Sequence, residues 1–348
     1  MDTFGGDPDS NAFIRITSDT DDWTRHFQIG AMAGLNIKAN FSEHGSFGVS
    51  GNNPAEGIFD NGFVRTDSSG NAFDHTSYWG YNNASQYNPA SQTLSMQSTT
   101  SYSTSGSAEG DNHPFVGFEM AYGDNLWYWK HARVGWELGF GLLPIDIKDN
   151  SSMDAAVNSS IYTFDASQSG ISSGDSSPLI GTSGSGYSGN FNRLPHESTI
   201  SSSPSSITSL PSTDGTVTGT RELDLMLYTL RLGPTFYWDL TEHFGVSLGA
   251  GPTIGLAAGK YKYDETITAN NISAHNKGSF DTTGFTFGGY VNGTVMYHIM
   301  DWNGKTGDIF ASAQYMPMKD VSFGSGGREA QLRLGEQLLF SVGINWPF

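Results

Sequence analysis

Apolar and polar residues alternate along most of the chain with a period of two, the repeat of an extended strand whose two faces meet different surroundings. From His26 to Phe41 one face carries Phe27, Ile29, Ala31, Ala33, Leu35, Ile37 and Ala39, and the other carries His26, Gln28, Gly30, Met32, Gly34, Asn36 and Lys38. The pattern returns with Val116, Phe118, Met120 and Tyr122 opposite Gly117, Glu119 and Ala121. It then places Val134, Trp136, Leu138, Phe140 and Leu142 opposite Arg133, Gly135, Glu137, Gly139 and Gly141. Further strands are predicted over 226–238, 244–259, 285–299 and 308–318, and a last one over 331–348. In that last strand Leu338, Phe340, Val342, Ile344, Trp346 and Phe348 share a face.

Strands of soluble sandwiches average five or six residues, whereas several of these reach eleven or more, the length that crosses a bilayer at a tilt. The connections alternate in size. Those at 123–127, 239–243 and 301–307 are short, 261–278 and 319–330 are medium, and 41–112 and 148–219 are long. Short periplasmic turns facing longer extracellular loops are the rhythm of an outer-membrane barrel, and an even strand count returns both termini to the periplasm. Trp23, Trp127, Trp129, Trp238, Trp302 and Trp346, six of the eight tryptophans, fall at the predicted periplasmic end, where amphipathic rings collect at a membrane interface.

The predicted fold is therefore all-β: a transmembrane antiparallel up-and-down β-barrel of eight strands with two long extracellular loops. Residues 1–23 are expected to be a periplasmic N-terminal tail and 24–348 the barrel. A further hairpin within 41–112 entering the membrane would raise the count to ten.

Composition narrows the functional classes. A formal net charge of −18 repels a phosphate backbone, which argues against nucleic-acid binding. Cysteine is absent, so disulfides, thiolate metal sites and cysteine nucleophiles are excluded. No apolar run is long enough for a transmembrane helix, and Met1-Asp2-Thr3-Phe4 lacks the basic and apolar regions of a secretory signal. The sequence reads as a mature chain whose signal peptide has been removed.

With its eight alternating strands, its short and long connections and the ending Phe340-Ser341-Val342-Gly343-Ile344-Asn345-Trp346-Pro347-Phe348, the chain resembles the small bacterial outer-membrane β-barrels of the OmpA, OmpX and OmpW type. The resemblance implies residence in the outer membrane, contact with its lipid and lipopolysaccharide, and insertion by the barrel-assembly machinery, with Phe348 as the C-terminal assembly signal. The resemblance is architectural, and Pro347 stands where those proteins usually carry a polar residue.

The inward face of the strands gathers Lys38, Glu119, Arg133, Glu137 and Arg231. An eight-strand barrel is only wide enough for side chains to fill, so these charges are expected to pair and plug the lumen. Against this stands a glycine ladder, Gly245, Gly249, Gly251, Gly255 and Gly259, which would line a narrow solute path or make room for Tyr237 and Tyr290. The first long loop carries Glu43, Glu56, Asp60, Asp67, Asp74, Glu109 and Asp111 against Arg65 alone, an acidic outer face open to an extracellular ligand or surface. Islands such as Phe63-Val64-Arg65 and Ser77-Tyr78-Trp79-Gly80-Tyr81 predict hairpins in this loop, whereas the serine-rich 148–219 is expected to be mobile.

No metal or cofactor motif is present. Gly245-Val246-Ser247-Leu248-Gly249 matches a nucleophile elbow but lies inside an alternating strand rather than at a strand-to-helix turn. The histidines and serines suggest no converging set for a barrel protease or lipid hydrolase, so no enzymatic activity is expected. The expected function is to anchor an acidic extracellular surface for adhesion or envelope integrity, with a plugged or narrow lumen. The alternative is an OmpW-like, porin-like passive channel for small solutes.

Overall fold

The computed structural model describes residues 15–16, 25–65, 74–76, 78–110, 114–129, 131–169, 199–270, 272–302 and 305–347. Its principal strands are β1 (Arg25–Leu35), β2 (Lys38–Glu43), β3 (Thr93–Thr104), β4 (Ser107–Glu109), β5 (Phe115–Tyr128), β6 (Ala132–Asp149), β7 (Met153–Asp165), β8 (Thr213–Asp239), β9 (Phe244–Ala269), β10 (Ile272–Trp302), β11 (Lys305–Tyr315), β12 (Val321–Ser325), β13 (Arg328–Arg333) and β14 (Leu338–Pro347). Eight of these, β1, β5, β6, β8, β9, β10, β11 and β14, pair antiparallel in that order. The ring closes where β14 pairs with β1, from His26↔Pro347 to Leu35↔Leu338. Closure leaves the ring no free edge, the condition for sheet structure in lipid.

A band of exposed apolar side chains surrounds the ring, including Phe27, Ile29, Phe118, Leu230, Leu232, Phe236, Leu248, Ile254, Phe287, Val291, Val342 and Ile344. On β9 it runs from Phe244 to Leu256, about 40 Å along the strand at ~3.3 Å per residue and about 28 Å in height at a tilt of ~45°. That matches the hydrocarbon core. Trp127, Trp129, Trp238 and Trp346 sit at the end with the short turns, Trp238 being 51% exposed. The backbone of Trp302 ends β10 at this same rim, and Trp23 and Phe348 lie outside the described residues.

Above the band the strands turn inside out. On β8 the outward residues change from Tyr228, Leu230 and Leu232 to Glu222 and Asp224, and the inward residues change from Thr229 and Arg231 to Leu223, Leu225 and Leu227. On β6 the outward series Leu138, Phe140 and Leu142 gives way to Asp146 and Lys148, while Leu143, Ile145 and Ile147 turn inward. Lys262 on β9 lies 2.8 Å from Glu222 and 2.9 Å from Asp224 on this outer wall. Lipid surrounds the lower half of these long strands and water the upper half, so the apolar face moves from outside to inside.

The upper interior is filled by a second sheet in the order β4, β2, β13, β12. Its Ile37, Ala39, Phe41, Val321, Phe323, Ala330, Leu332 and Leu334 form one core with Leu143, Ile145, Ile147, Leu223, Leu225, Leu227 and Tyr261 of the barrel wall. This sheet is a plug seated in the extracellular mouth. Two predicted strands are corrected by it. The strand expected over 26–41 ends at Leu35, because Asn36 takes a left-handed φ of 60° and swings β2 off the wall; Asn tolerates that conformation better than most residues. The strand expected over 331–348 is likewise two pieces, β13 in the plug and β14 in the ring.

The connections are also more ordered than their composition predicted. Most of the expected 261–278 connection is strand, since β9 and β10 pair up to Ala269↔Ile272 and turn at Asn270 with φ 51°, the left-handed geometry of a two-residue hairpin. In the serine-rich segment, β7 pairs with both β3 and β8, and 170–198 lies outside the described residues. The first long loop carries β3, β4 and the short strands Ile58–Phe59, Gly62–Val64 and Trp79–Tyr81. These short strands pack Phe59, Val64, Trp79 and Tyr81 against Leu94, Met96 and Phe164. Among the described residues no strand of this loop joins the ring, which has eight strands.

Candidate functional site: two buried charge networks

The first network lies in the lumen at membrane depth. Arg231 on β8 crosses to β6, where its Nη1 donates to Glu137 Oε1 at 2.6 Å, and its Nη2 is 3.7 Å from Glu119 Oε2 on β5. The guanidinium lies over Gly139, whose missing side chain leaves the space, and its carbon is 5.2 Å from the Tyr290 ring centre. Tyr237 places its hydroxyl 2.8 Å from His26 Nε2 and 3.4 Å from Glu137 Oε2. Thr235, Ser247, Asn292, Thr294, Gln314 and Ser341 are buried around them. Toward the periplasmic end, His298 Nδ1 meets Asp308 Oδ1 at 2.5 Å, and Asn345 Nδ2 donates to Asp308 Oδ2 at 2.8 Å.

Of the charges placed in the lumen from sequence, Glu119, Glu137 and Arg231 form one triad. Arg133 stands apart toward the periplasmic rim, its Nη2 donating to Asp239 at 3.0 Å and its guanidinium lying over Tyr237. Lys38 is not in the lumen: the bend at Asn36 carries it onto the plug sheet, where its Nζ donates to Glu109 Oε1 at 2.6 Å and the side chain is 39% exposed. His26 and Tyr237 belong to the network and were not grouped with it by the sequence. The signal was their inward parity on β1 and β8.

The glycine ladder faces inward but is filled by its neighbours. A side chain at Gly255 would meet Met318 at 2.7 Å, one at Gly249 would meet the Asn292 amide, and those at Gly251 and Gly259 would meet backbone of β8. Gly245 alone has open space out to 3.4 Å. A Gly255→Val variant is therefore expected to lose about 1–3 kcal/mol through overpacking, read as a lower denaturant midpoint with unchanged slope.

The second network was not foreseen and lies between plug and wall, above the lipid band. Arg221 on β8 approaches Glu43 on β2 at 3.4 Å, Glu265 on β9 at 3.0 Å and Asp149 on β6 at 3.0 Å. Arg328 on β13 reaches Glu265 at 3.0 Å and Glu43 at 3.5 Å, and it donates to the Tyr102 hydroxyl on β3 at 2.7 Å. Glu43, Glu265 and Arg221 have no exposed surface. Burial and the neighbouring Glu265 push the Glu43 carboxyl up to about 8 against the pull of the two arginines. Glu265 is held below the usual range: its burial is outweighed by a hydrogen bond from Glu43 and by the same guanidiniums.

Glu43 was counted as part of an acidic outer face, and so was Asp60. Glu43 is fully buried and Asp60 half-buried: Asp60 accepts from Asn52 Nδ2 at 2.6 Å and from the Thr99 amide at 2.5 Å, and burial raises its pKa. Asp67 and Asp111 lie outside the described residues. Higher on the extracellular sheet, Ser103, Asp154, Asp214, Thr216, Thr268 and Asn270 line an open trough of about 1050 Å³.

No family model matches the sequence, and no curated protein matches it. Several solved structures align with most of its length. The outer membrane protease OmpT from Escherichia coli is 8% identical over 93% of this chain and 96% of its own, with a TM-score of 0.29. The attachment invasion locus protein Ail of Yersinia pestis, in complex with the heparin analogue sucrose octasulfate, is 8% identical over 92% and 99%, with a TM-score of 0.23. A Pseudomonas aeruginosa FadL homologue is 9% identical over 93% and 90%, with a TM-score of 0.18. The expectation that the chain is not an enzyme does not stand, because a protease is among these similar barrels. The closed ring and its lipid-facing band make the chain an outer-membrane β-barrel protein.

Proposed function

We propose that the protein anchors a folded extracellular surface in the outer membrane for adhesion or envelope integrity, with its lumen closed. The observation that carries this reading is the four-stranded plug packed into the mouth above a lumen already crossed by Arg231, Glu119 and Glu137. A passive channel of the OmpW-like kind needs a continuous polar path, and Met318 and Asn292 occupy the space that the glycine ladder would have left. Lipid and lipopolysaccharide are the proposed partners of the wall, and the barrel-assembly machinery that of the C-terminal strand. An extracellular ligand or surface is the proposed partner of the region built on β3 and β7. The trough beside it offers hydroxyls and two carboxylates with no cationic side chain among its lining residues, which suits a neutral, hydroxyl-rich or cationic ligand.

The test removes the surface and keeps the barrel. Asn52 donates to the Thr99 carbonyl at 2.7 Å, so residues 53–98 can be replaced by a short Gly-Ser turn that spans neighbouring positions. Cells displaying the shortened chain are expected to lose attachment or envelope resistance that the full chain confers, while gel mobility still shifts on boiling. Equal attachment and resistance from the two chains would contradict the proposal.

A further inference from the structure

We infer that Glu43 and Glu265 form a shared-proton site that latches the plug sheet to the barrel wall. The inference rests on the reading of a closed lumen and adds how the closure is regulated. Six strands contribute polar groups to the site: Glu43 from β2 and Arg328 from β13 on the plug, Asp149, Arg221, Glu265 and Tyr261 from β6, β8 and β9 on the wall, and Tyr102 from β3, while the rings of Phe47 and Tyr263 lie against the Arg328 guanidinium. Three carboxyl groups face two guanidiniums in a space without solvent exposure at Glu43, Arg221 or Glu265. Fully ionised, the cluster would hold an uncompensated negative charge in a low-dielectric interior, which is unfavourable. One proton makes it neutral.

Unpartnered atoms locate that proton. At this site Glu43 Oε2 and Glu265 Oε1 are buried carboxylate oxygens that receive no hydrogen bond, Arg221 Nε lying 3.0 Å from the second without donating to it. A hydrogen on Glu43 Oε2 donated to Glu265 satisfies both groups, and the two side chains are within hydrogen-bond reach. Glu43 carries the proton, because Glu265 receives the closer contacts from both arginines, at 3.0 Å each against 3.4 and 3.5 Å for Glu43.

The pH dependence follows from the sign of the shift. Glu43 keeps its proton in the closed state up to about pH 8, whereas an exposed glutamate releases it near 4.5. Between those values the closed plug binds a proton that the open plug does not, so raising the pH favours opening. The opening equilibrium of β2 and β13, read by amide exchange corrected for intrinsic rates, is expected to rise up to about tenfold per pH unit across pH 5–7.5 and to level off above 8. In Glu43→Gln, which keeps a donor and loses the titration, the profile is expected to be flat across this window. Infrared spectroscopy of the wild-type protein tests the same site without a variant: a protonated-carboxyl band present at pH 6–7 should titrate away near pH 8. Absence of that band at pH 6–7, or an unchanged exchange slope in Glu43→Gln, would overturn the latch. Neither readout depends on conductance, so an open lumen at neutral pH would defeat the closed-barrel reading while leaving the proton site to be judged by its own spectra.

Discussion

Arg231→Ala is expected to destabilise the folded barrel by about 3–5 kcal/mol, the usual consequence of removing one partner from a buried ion cluster. Glu137 lies 2.6 Å and Glu119 3.7 Å from this guanidinium, and both carboxylates would be left inside the wall facing threonine and asparagine side chains. Repulsion between them and entry of water should make the lumen leak ions as well as weaken it. Urea unfolding in lipid vesicles measures the first effect and bilayer current the second. A variant that replaces the triad by neutral groups, Arg231→Met with Glu119→Gln and Glu137→Gln, should recover most of the lost stability, since apolar replacement of a whole buried ion cluster is often neutral or stabilising. A loss under 1 kcal/mol in Arg231→Ala would mean that the carboxylates are hydrated and the lumen open.

Phe41→Ala addresses the other half of the molecule. Phe41 is fully buried between plug and wall, with its ring 5.9 Å from that of Tyr261 and within the core formed by Leu332, Ile147 and Leu223. Truncating such a ring costs about 3–5 kcal/mol through lost transfer energy and the cavity left behind. The loss should fall on docking of the plug. Amide exchange is expected to rise in 38–43, 107–109, 321–325 and 328–333 by about two to four orders of magnitude, the factor that this energy implies. Protection around Gly139 and Arg231 should stay as in the wild type. Equal loss of protection in both regions would show that plug and barrel unfold as one unit.

How far the sequence carried this picture follows from what each pattern records. Period-two alternation over 115–142 and 226–259 recorded lipid on one side and a polar lumen on the other, and it placed Glu119, Glu137 and Arg231 on one inner wall. The inversion above the membrane was present as a doubled apolar step, Leu142-Leu143, Leu227-Tyr228 and Leu256-Ala257, where the apolar residue changes face. Alternation read with fixed parity passes over such a step. The plug stayed hidden for a different reason. Asn36 bends the backbone without breaking the alternation from Leu35 to Ile37 to Ala39, so β2 reads as a continuation of β1. The second network joins Glu43, Asp149, Arg221, Glu265 and Arg328, spread over most of the chain, and only the tertiary fold brings them together. Its one local sign was an arginine and a glutamate at inward positions of β8 and β9 amid apolar residues.

The closed lumen is the claim on which the rest depends, and single-channel recording tests it most directly. Folded wild-type protein reconstituted into a planar bilayer at neutral pH and moderate salt is expected to give no discrete steps above leak, whereas Arg231→Ala gives them. Discrete, reproducible steps from the wild-type chain under those conditions would contradict a lumen closed by its charge triad and plug.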